Sequence, residues 1–502
     1  MTMISRVFGF LRDMVTASIF GAGAQFDAFS TAFRIPNLLR RLFAEGSFSQ
    51  AFVPVLSDYQ KRKSPEEMKQ FVNAMSGTLA LSLLIVTILG MIFAPAIIHI
   101  FAPGFASKGD RFDLAVTMLR INFPYLMLIS LTAFSGAILN THRRFWVAAF
   151  TPVLLNISMI AAAFWLSPHF TQPIIGLAWG VMIAGILQLL FQWPFLKNLA
   201  MLPRPVINFR DPGVSRVLKL MLPALFGVSV GQINLMVDSM FASLLVVGSV
   251  SWLYYSDRLM EFPLGVFGVA ISTVILPHLS HHHAAQSEES FSLTLDWALR
   301  AVLLVGLPAG VVLAVMAGPM LSTLFQYGIF NGHSVLMAQK SLSAFAVGIA
   351  PFMLVKVLAA GFYAKQDMRT PVRIAVIAML TNIALNIALI WPLAHAGIAL
   401  ATSLAAIVNT GFLFYFLRTR GFYKPREGWF GFAARLLIAN VVIGIWLWFG
   451  AGEIQTWIDS PAIWRITHLG FLLGSSVVIY LAMLWLTGIR LHHLLMPATL
   501  SP

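Results

Sequence analysis

Apolar runs of about 18 or more residues recur from one end of the chain to the other, separated by short polar connectors. This is the pattern of membrane-spanning helices, and it predicts about fourteen spans, the first centred near Val15 and the last near Val478. The first run has no small-residue cleavage site and is followed by many others, so it reads as a retained helix and not a signal peptide. One alternating set of connectors is basic: Lys61, Arg62 and Lys63; Arg143 and Arg144; Lys197, Arg204, Arg210 and Arg216; Lys365 and Arg369; Arg418, Arg420, Lys424 and Arg426. The opposite set is nearly bare, with Lys108 and Arg111 the main exceptions. Positive charge collects on the cytoplasmic side, which places the basic connectors and both termini there. The connector "SHHHAAQSEES" departs from that rule, having no Lys or Arg.

The pattern also repeats. A shift of about 224 residues brings Ala94-Pro95 onto Gly318-Pro319, Phe101 near Phe325, and Pro54-Val55-Leu56-Ser57 onto Pro277-His278-Leu279-Ser280. Six spans in each half, an even number, would make both halves cross in the same sense, related by an axis along the membrane normal. The expectation is therefore an all-α polytopic membrane protein with two six-helix lobes in parallel pseudo-repeat, at 1–200 and 213–420. Two additional spans fall within 429–490. In this register the first helix is short at its start, which points to a native N-terminus upstream of Met1.

Composition narrows the function. Of 502 residues 59% are hydrophobic and 10% charged, well below the roughly 25% charged of soluble domains. A net charge of +14 could signal nucleic acid, but the basic residues sit in connectors as orientation signals, so no nucleic-acid partner is expected. The absence of cysteine excludes disulfides and thiolate chemistry. Adjacent side chains His281, His282 and His283 point in different directions and read as a solvated loop, not a metal site. No phosphate-binding loop and no nucleophile with a positioned base occur, so neither ATP-driven transport nor hydrolysis has support, and a transporter is expected rather than an enzyme.

Charge inside an apolar span costs about 2.5–3.5 kcal/mol per arginine and marks a bundle interior or a watery cavity. Arg300, Arg373 and Arg435 lie near helix ends and read as snorkelling side chains. The first two spans differ. Arg6, Arg12 and Asp13 lie on the first, Asp27 in the short connector, and Arg34, Arg40, Arg41 and Glu45 on the second. Helical spacing puts Arg34, Asn37, Arg41 and Glu45 on one stripe, with Arg40 beside it. Pro36, Gly46 and Pro54 interrupt this span, as in discontinuous transporter helices. The second half adds Asp257, Arg258 and Glu261 in "YYSDRLMEFP", and Lys356 deep in another span. Several guanidinium groups only partly offset by carboxylates call for an anionic, phosphate-bearing ligand; the competing reading is internal ion pairs that hold the lobes. A second constellation, Asp238, Asn382, Asn386 and Thr402, offers oxygen ligands to Na⁺ or a protonatable site, or else interhelical hydrogen bonds.

The stretches "SRVFGFLRD", "FGAGAQFDAFSTAFRIPNLLRRLFAEGSFSQAFVPVLS", "GAILNT" and "SVSWLYYSDRLMEFPLGVFGVAIST" resemble the MurJ (MviN) family, within the MATE-like multidrug/oligosaccharidyl-lipid/polysaccharide exporter superfamily. The resemblance covers essentially the whole chain. It implies a lipid II flippase of the bacterial cytoplasmic (inner) membrane, moving undecaprenyl-pyrophosphoryl-muropeptide to the periplasmic leaflet for peptidoglycan synthesis. It also implies substrate-binding roles for Arg6, Arg12, Asp27, Arg40 and Arg258. Ser5 and Asp13 lie close by, while Arg41, Glu45, Asp257 and Glu261 are candidate gate or supporting pairs. The family pattern favours Arg40 where the stripe favours Arg41. The last two helices form a lipid-tail groove in the family. The sodium site of some members falls on Asp238, Asn382, Asn386 and Thr402, with Asn386 replacing an acidic ligand. No other cofactor is implied, and coupling to Na⁺, H⁺ or membrane potential stays open. Membrane lipids and the cell-wall synthesis machinery are the further partners to expect. Rival functions are a membrane scaffold for cell-wall enzymes and an exporter of another lipid-linked oligosaccharide.

Overall fold

The computed structural model describes residues 2–42, 48–106, 110–284 and 287–489, with the backbone alone at 2–3, 222–230, 269–273 and 282–284. The described residues are almost entirely helical, with no strand among them. The chain divides into two compact units, Met1–Ser251 and Trp252–Pro502.

The first unit contains α1 (Thr2–Phe20), α2 (Ala24–Leu39), α3 (Ser49–Arg62), α4 (Pro65–Ile92), α5 (Ala94–Phe101), α6 (Arg111–Thr141), α7 (Phe145–Ala161), α8 (Ile175–Asn198) and α9 (Pro212–Leu244). Local sequence sets several starts. Ser64 and Glu67 form a capping box at α4, with Pro65 in the first turn. Asp211 accepts the first free N–H groups of α9, and Pro212 follows it. At the centre of the unit α6 packs against α2, α4 and α8, while α7 packs against α1 and α8. The α9 helix, which the repeat assigns to the second half, packs against α3, α4 and α5. Gly104 makes one of these approaches possible, since a Cβ there would lie 2.1 Å from the Ser243 carbonyl oxygen. Val55, Phe52, Phe71 and Phe134 fill a core between α3, α4, α6 and α9.

The second unit takes up α10 (Ser249–Pro263), whose first residues count with the first unit, then α11 (Val269–Ala284), α12 (Glu288–Val315), α13 (Ala317–Phe325), α14 (Gly332–Ala346), α15 (Ile349–Ala364) and α16 (Arg369–Thr419). It ends with α17 (Trp429–Ala451), α18 (Ile454–Asp459) and α19 (Ala462–Leu486). The internal repeat shows in this order. A straight helix would run on from α4, but it breaks at Phe93, with Pro95 opening α5; α12 breaks at Met316 in the same way, with Pro319 in α13. A π-helical turn follows α2 at Arg40–Leu42 and follows α10 at Leu264–Gly268. The 51 residues of α16 would span roughly 75 Å if straight, more than twice a bilayer core. The chain instead kinks at Ala394 (φ 49°, ψ −131°), dividing it into two helical segments.

Nine stretches of described helix are long and apolar enough to cross a membrane. The three charges of α1 and the 16-residue length of α2 keep both out of that set, so the nine do not fix the expected total of fourteen. Two sequence readings differ in three dimensions. The His281–His283 triplet continues the last turn of α11 rather than forming a loop, a position where a helix end favours cations. Arg300 does not snorkel freely: its Nε lies 2.9 Å from Asp296 Oδ2, and its guanidinium covers the Trp429 ring.

Candidate functional site

Within the first unit, Arg12 and Asp13 are buried neighbours on α1, 7% and 2% exposed. Arg12 Nε and Nη2 donate to Asp13 Oδ1 at 3.0 and 2.7 Å, and Nη1 donates to Asn156 Oδ1 on α7 at 3.1 Å. Asn156 Nδ2 in turn donates to the Ser5 carbonyl at 3.2 Å. Ser5 and Arg12 are seven residues apart, hence on one face of α1, which is why a single α7 amide meets both. The pairing offsets part of the cost of taking the guanidinium out of water. Arg6 sits half-buried on the same helix.

On α2, Asp27 is fully buried and its oxygens are well supplied with donors. Oδ1 accepts the Ser251 N–H at 2.9 Å and its hydroxyl at 2.5 Å; Oδ2 accepts the Gly248 N–H at 2.7 Å and Arg111 Nη1 at 3.3 Å. The carboxylate therefore caps the start of α10 and neutralises an arginine that is only 3% exposed. Arg111, on α6, also lies over the Phe105 ring at 4.7 Å. Sequence reading noted Arg111 only as an exception among bare connectors, and missed Asn156 altogether. Its signal was a lone amide in the apolar run "VLLNISMI".

Further along α2, Arg34 donates to Ser239 on α9, and Arg40 Nε donates to Asn37 Oδ1 at 2.9 Å. Arg40 and Arg41 are both half-buried. The stripe expected from α-helical spacing does not continue through them, because the chain winds as a π turn from Arg40 to Leu42. Glu45 lies outside the described residues. Over α1, α2 and this turn, five arginines face two aspartates, and Asp27 is also engaged by Arg111.

In the second unit, Arg258 is on α10 with its side chain 29% exposed; Nη1 donates to Glu261 Oε2 at 2.9 Å, and the guanidinium lies 4.9 Å from the Tyr254 ring centre. Asp257 is half-buried beside it. Lys356, on α15, reaches the Leu264 carbonyl at 3.4 Å, so a cation satisfies one of the carbonyls in the π turn.

The second constellation divides between the units. Asp238 is half-buried on α9 of the first. Asn382 and Asn386 lie one turn apart on α16 of the second, both fully buried. Thr402 donates to the Ile398 carbonyl of its own helix at 3.0 Å. Among the described residues, no three His, Asp or Glu side chains group as a divalent-metal site would require.

With this geometry in place, comparison with known proteins is decisive for the family. A family model described as lipid II flippase MurJ matches residues 16–467. A probable lipid II flippase MurJ of Haemophilus influenzae is 46% identical, covering 99% of each chain. A probable lipid II flippase MurJ of Vibrio cholerae is 47% identical over 98% of this chain and 95% of its own. Among solved structures, a lipid II flippase MurJ in an inward closed conformation superposes with a TM-score of 0.79 at 29% identity, covering 96% of both chains. An inward-facing MATE family multidrug transporter of the MOP superfamily shares the fold at a TM-score of 0.68 and 14% identity, over 83% of this chain and 94% of its own. This multi-pass membrane chain belongs to the MurJ family of lipid II flippases.

Proposed function

We propose that this protein moves lipid II from the cytoplasmic to the periplasmic leaflet of the inner membrane, by alternating access, as a transporter and not an enzyme. The observation that carries the reading is the excess of guanidinium groups on α1, α2 and the following turn, inside a chain whose relatives bear the name lipid II flippase. A diphosphate accepts two-pronged donation from arginine, so Arg6, Arg12 and Arg40 are assigned to the head group, with Arg258 contributed by the second half. Among the partners of Arg258 are Glu261, itself half exposed at 46%, and the Tyr254 ring, contacts that a phosphate could displace at modest cost. Asp27 has a different task in this reading. Saturated by Ser251, Gly248 and Arg111, it fixes the start of α10 against α2 and α6.

The polyprenyl tail would stay among lipids along α17 and α19, a pair whose outward faces carry Phe449, Trp448, Trp485 and Val478 exposed. A cavity with net positive charge also responds to membrane potential, at about 2.3 kcal/mol per charge across 100 mV. Cation binding at Asn382, Asn386, Thr402 and Asp238 would supply a second driving force. The test is lipid II exposure on the outer leaflet of cells depleted of their own flippase. Wild type restores exposure, while Arg40→Ala and Arg258→Ala at matched abundance do not. Equal exposure from all three would leave the arginines as structural ion pairs and favour the scaffold alternative.

A further inference from the structure

One cluster of charge lies outside this site. Arg210, Pro212, Ser215, Arg216, Lys219 and Leu220 surround an open cavity of about 570 Å³ in the first unit, where the connector from α8 meets α9. Its walls are fixed. The connector lies across α4, with the Arg204 N–H donating to Asn73 Oδ1 at 2.7 Å, Val206 N–H to the Asn73 carbonyl at 3.1 Å and Asn208 N–H to Thr78 Oγ1 at 3.2 Å. Gly77 permits that contact, since a Cβ there would lie 2.4 Å from the Val206 backbone. On the other side Gly213 seats α9 against Phe71 and Tyr59.

The charge in this cavity is not balanced. Asp211 turns to the N–H groups of Gly213 and Val214, at 2.9 and 3.1 Å. Asp58 is the carboxylate that meets Arg216, at 2.8 Å, and it shares itself with Arg62 at 3.0 Å. Arg210 and Lys219 make no ion pair among the described residues and are exposed. Beside these cations the surface is apolar: Ile207, Phe209 and Leu220 are 60%, 49% and 46% exposed. Basic groups bordering exposed apolar side chains match the boundary between phosphate head groups and acyl chains, where neither water nor hydrocarbon alone would suit them.

We propose that this cavity binds the phosphate of an anionic membrane phospholipid, with Arg210, Arg216 and Lys219 around the head group and Leu220 and Phe209 against the acyl chains. The site is separate from the arginines assigned to lipid II; its placement at the cytoplasmic leaflet rests on the orientation proposed above, but its ligand chemistry does not. Native mass spectrometry of the full-length protein in detergent tests it, with phosphatidylglycerol or phosphatidylcholine of matched chains added. Wild type should retain phosphatidylglycerol in preference. R210Q/K219Q, which leaves the Asp58–Arg216 pair in place, should bind it on the order of fivefold more weakly per cation removed, with phosphatidylcholine unchanged and the melting temperature kept. Equal retention of phosphatidylglycerol by the two proteins overturns the proposal. Displacement of the lipid by equimolar glycerol 3-phosphate also overturns it, since the site would then read free phosphate without the chains. Lipid II exposure measured on the same variant separates the two ideas: it should persist, and its loss in wild type would strike the transport reading while leaving this site intact.

Discussion

Asp27 and Arg258 carry opposite charges and come from corresponding helices of the repeat, yet their surroundings differ in kind. Asp27 is fully buried and takes donors from two places distant in sequence: Arg111, and the turn of Gly248 and Ser251. Arg258 is 29% exposed, and two of its partners, Tyr254 and Glu261, come from its own turn of helix. A charge tied to several distant groups can only be removed by disturbing all of them. A charge tied to its own turn can exchange partners while the fold stays as it was. The comparison therefore separates a residue tied across the sequence from one that also leans on its own turn of helix, although the family resemblance assigns substrate-binding roles to both.

The largest expected effect comes from breaking the first member. Asp27→Ala leaves Arg111 buried with its charge uncompensated, a loss of about 3–5 kcal/mol for pairs of this type. Membrane abundance and melting temperature should both fall sharply, and Asp27→Asn should fall less because the amide oxygen still accepts the Ser251 N–H. A stable Asp27→Ala protein that merely fails to expose lipid II would remove the distinction drawn here.

Next is the intermediate case of Arg12, buried like Asp27 but only partly tied to distant sequence, through Asn156. Arg12→Lys keeps the charge and loses the planar fork that spans Asp13 and Asn156. A destabilisation of roughly 1–3 kcal/mol is expected, and a double-mutant cycle with Asn156→Ala should return a coupling of at least about 0.5 kcal/mol. Zero coupling would reduce the contact to proximity.

Arg258→Ala sharpens the other end. An exposed i,i+3 ion pair contributes about 0–1 kcal/mol, so the melting temperature should hardly move while outer-leaflet lipid II disappears. A large fall in stability would place Arg258 with Asp27 instead.

These outcomes bear on what the sequence could disclose. Helix positions and the repeat were legible because they rest on short-range pattern: the runs of apolar residues, and the Pro95 and Pro319 breaks that return at Phe93 and Met316. The chemistry of α1 and α2 was legible as misplaced charge. The partners were not. Arg111 lies 84 positions from Asp27 and Asn156 lies 144 from Arg12, and nothing in local spacing or hydropathy encodes such pairings. The expected stripe on α2 failed for a related reason: it assumed 3.6 residues per turn through a segment that winds as a π turn.

The smallest effect tests whether locality rather than burial is what frees a charge. Asp367, between α15 and α16 and outside the spans, is half-buried, its side chain 23% exposed, and its partners are largely local: Thr370 N–H at 3.0 Å and hydroxyl at 2.6 Å, joined by Arg420 Nη1 at 2.5 Å. Burial is the largest single influence on this carboxyl and acts to raise its pKa; the Thr370 and Arg420 bonds together outweigh it, and the net shift is downward. A carboxyl held below its unfolded value contributes stability above that unfolded value, about 3.9, and loses it as the pH falls through the folded value. Wild type should therefore lose melting temperature more steeply than Asp367→Asn below about pH 4, and the two curves should run parallel above it. Since Arg420 is 42% exposed, water and salt screen its part, and added salt should narrow the gap between the curves. A gap indifferent to salt would assign the shift to the Thr370 bonds alone, making Asp367 a helix cap and removing Arg420 from the comparison.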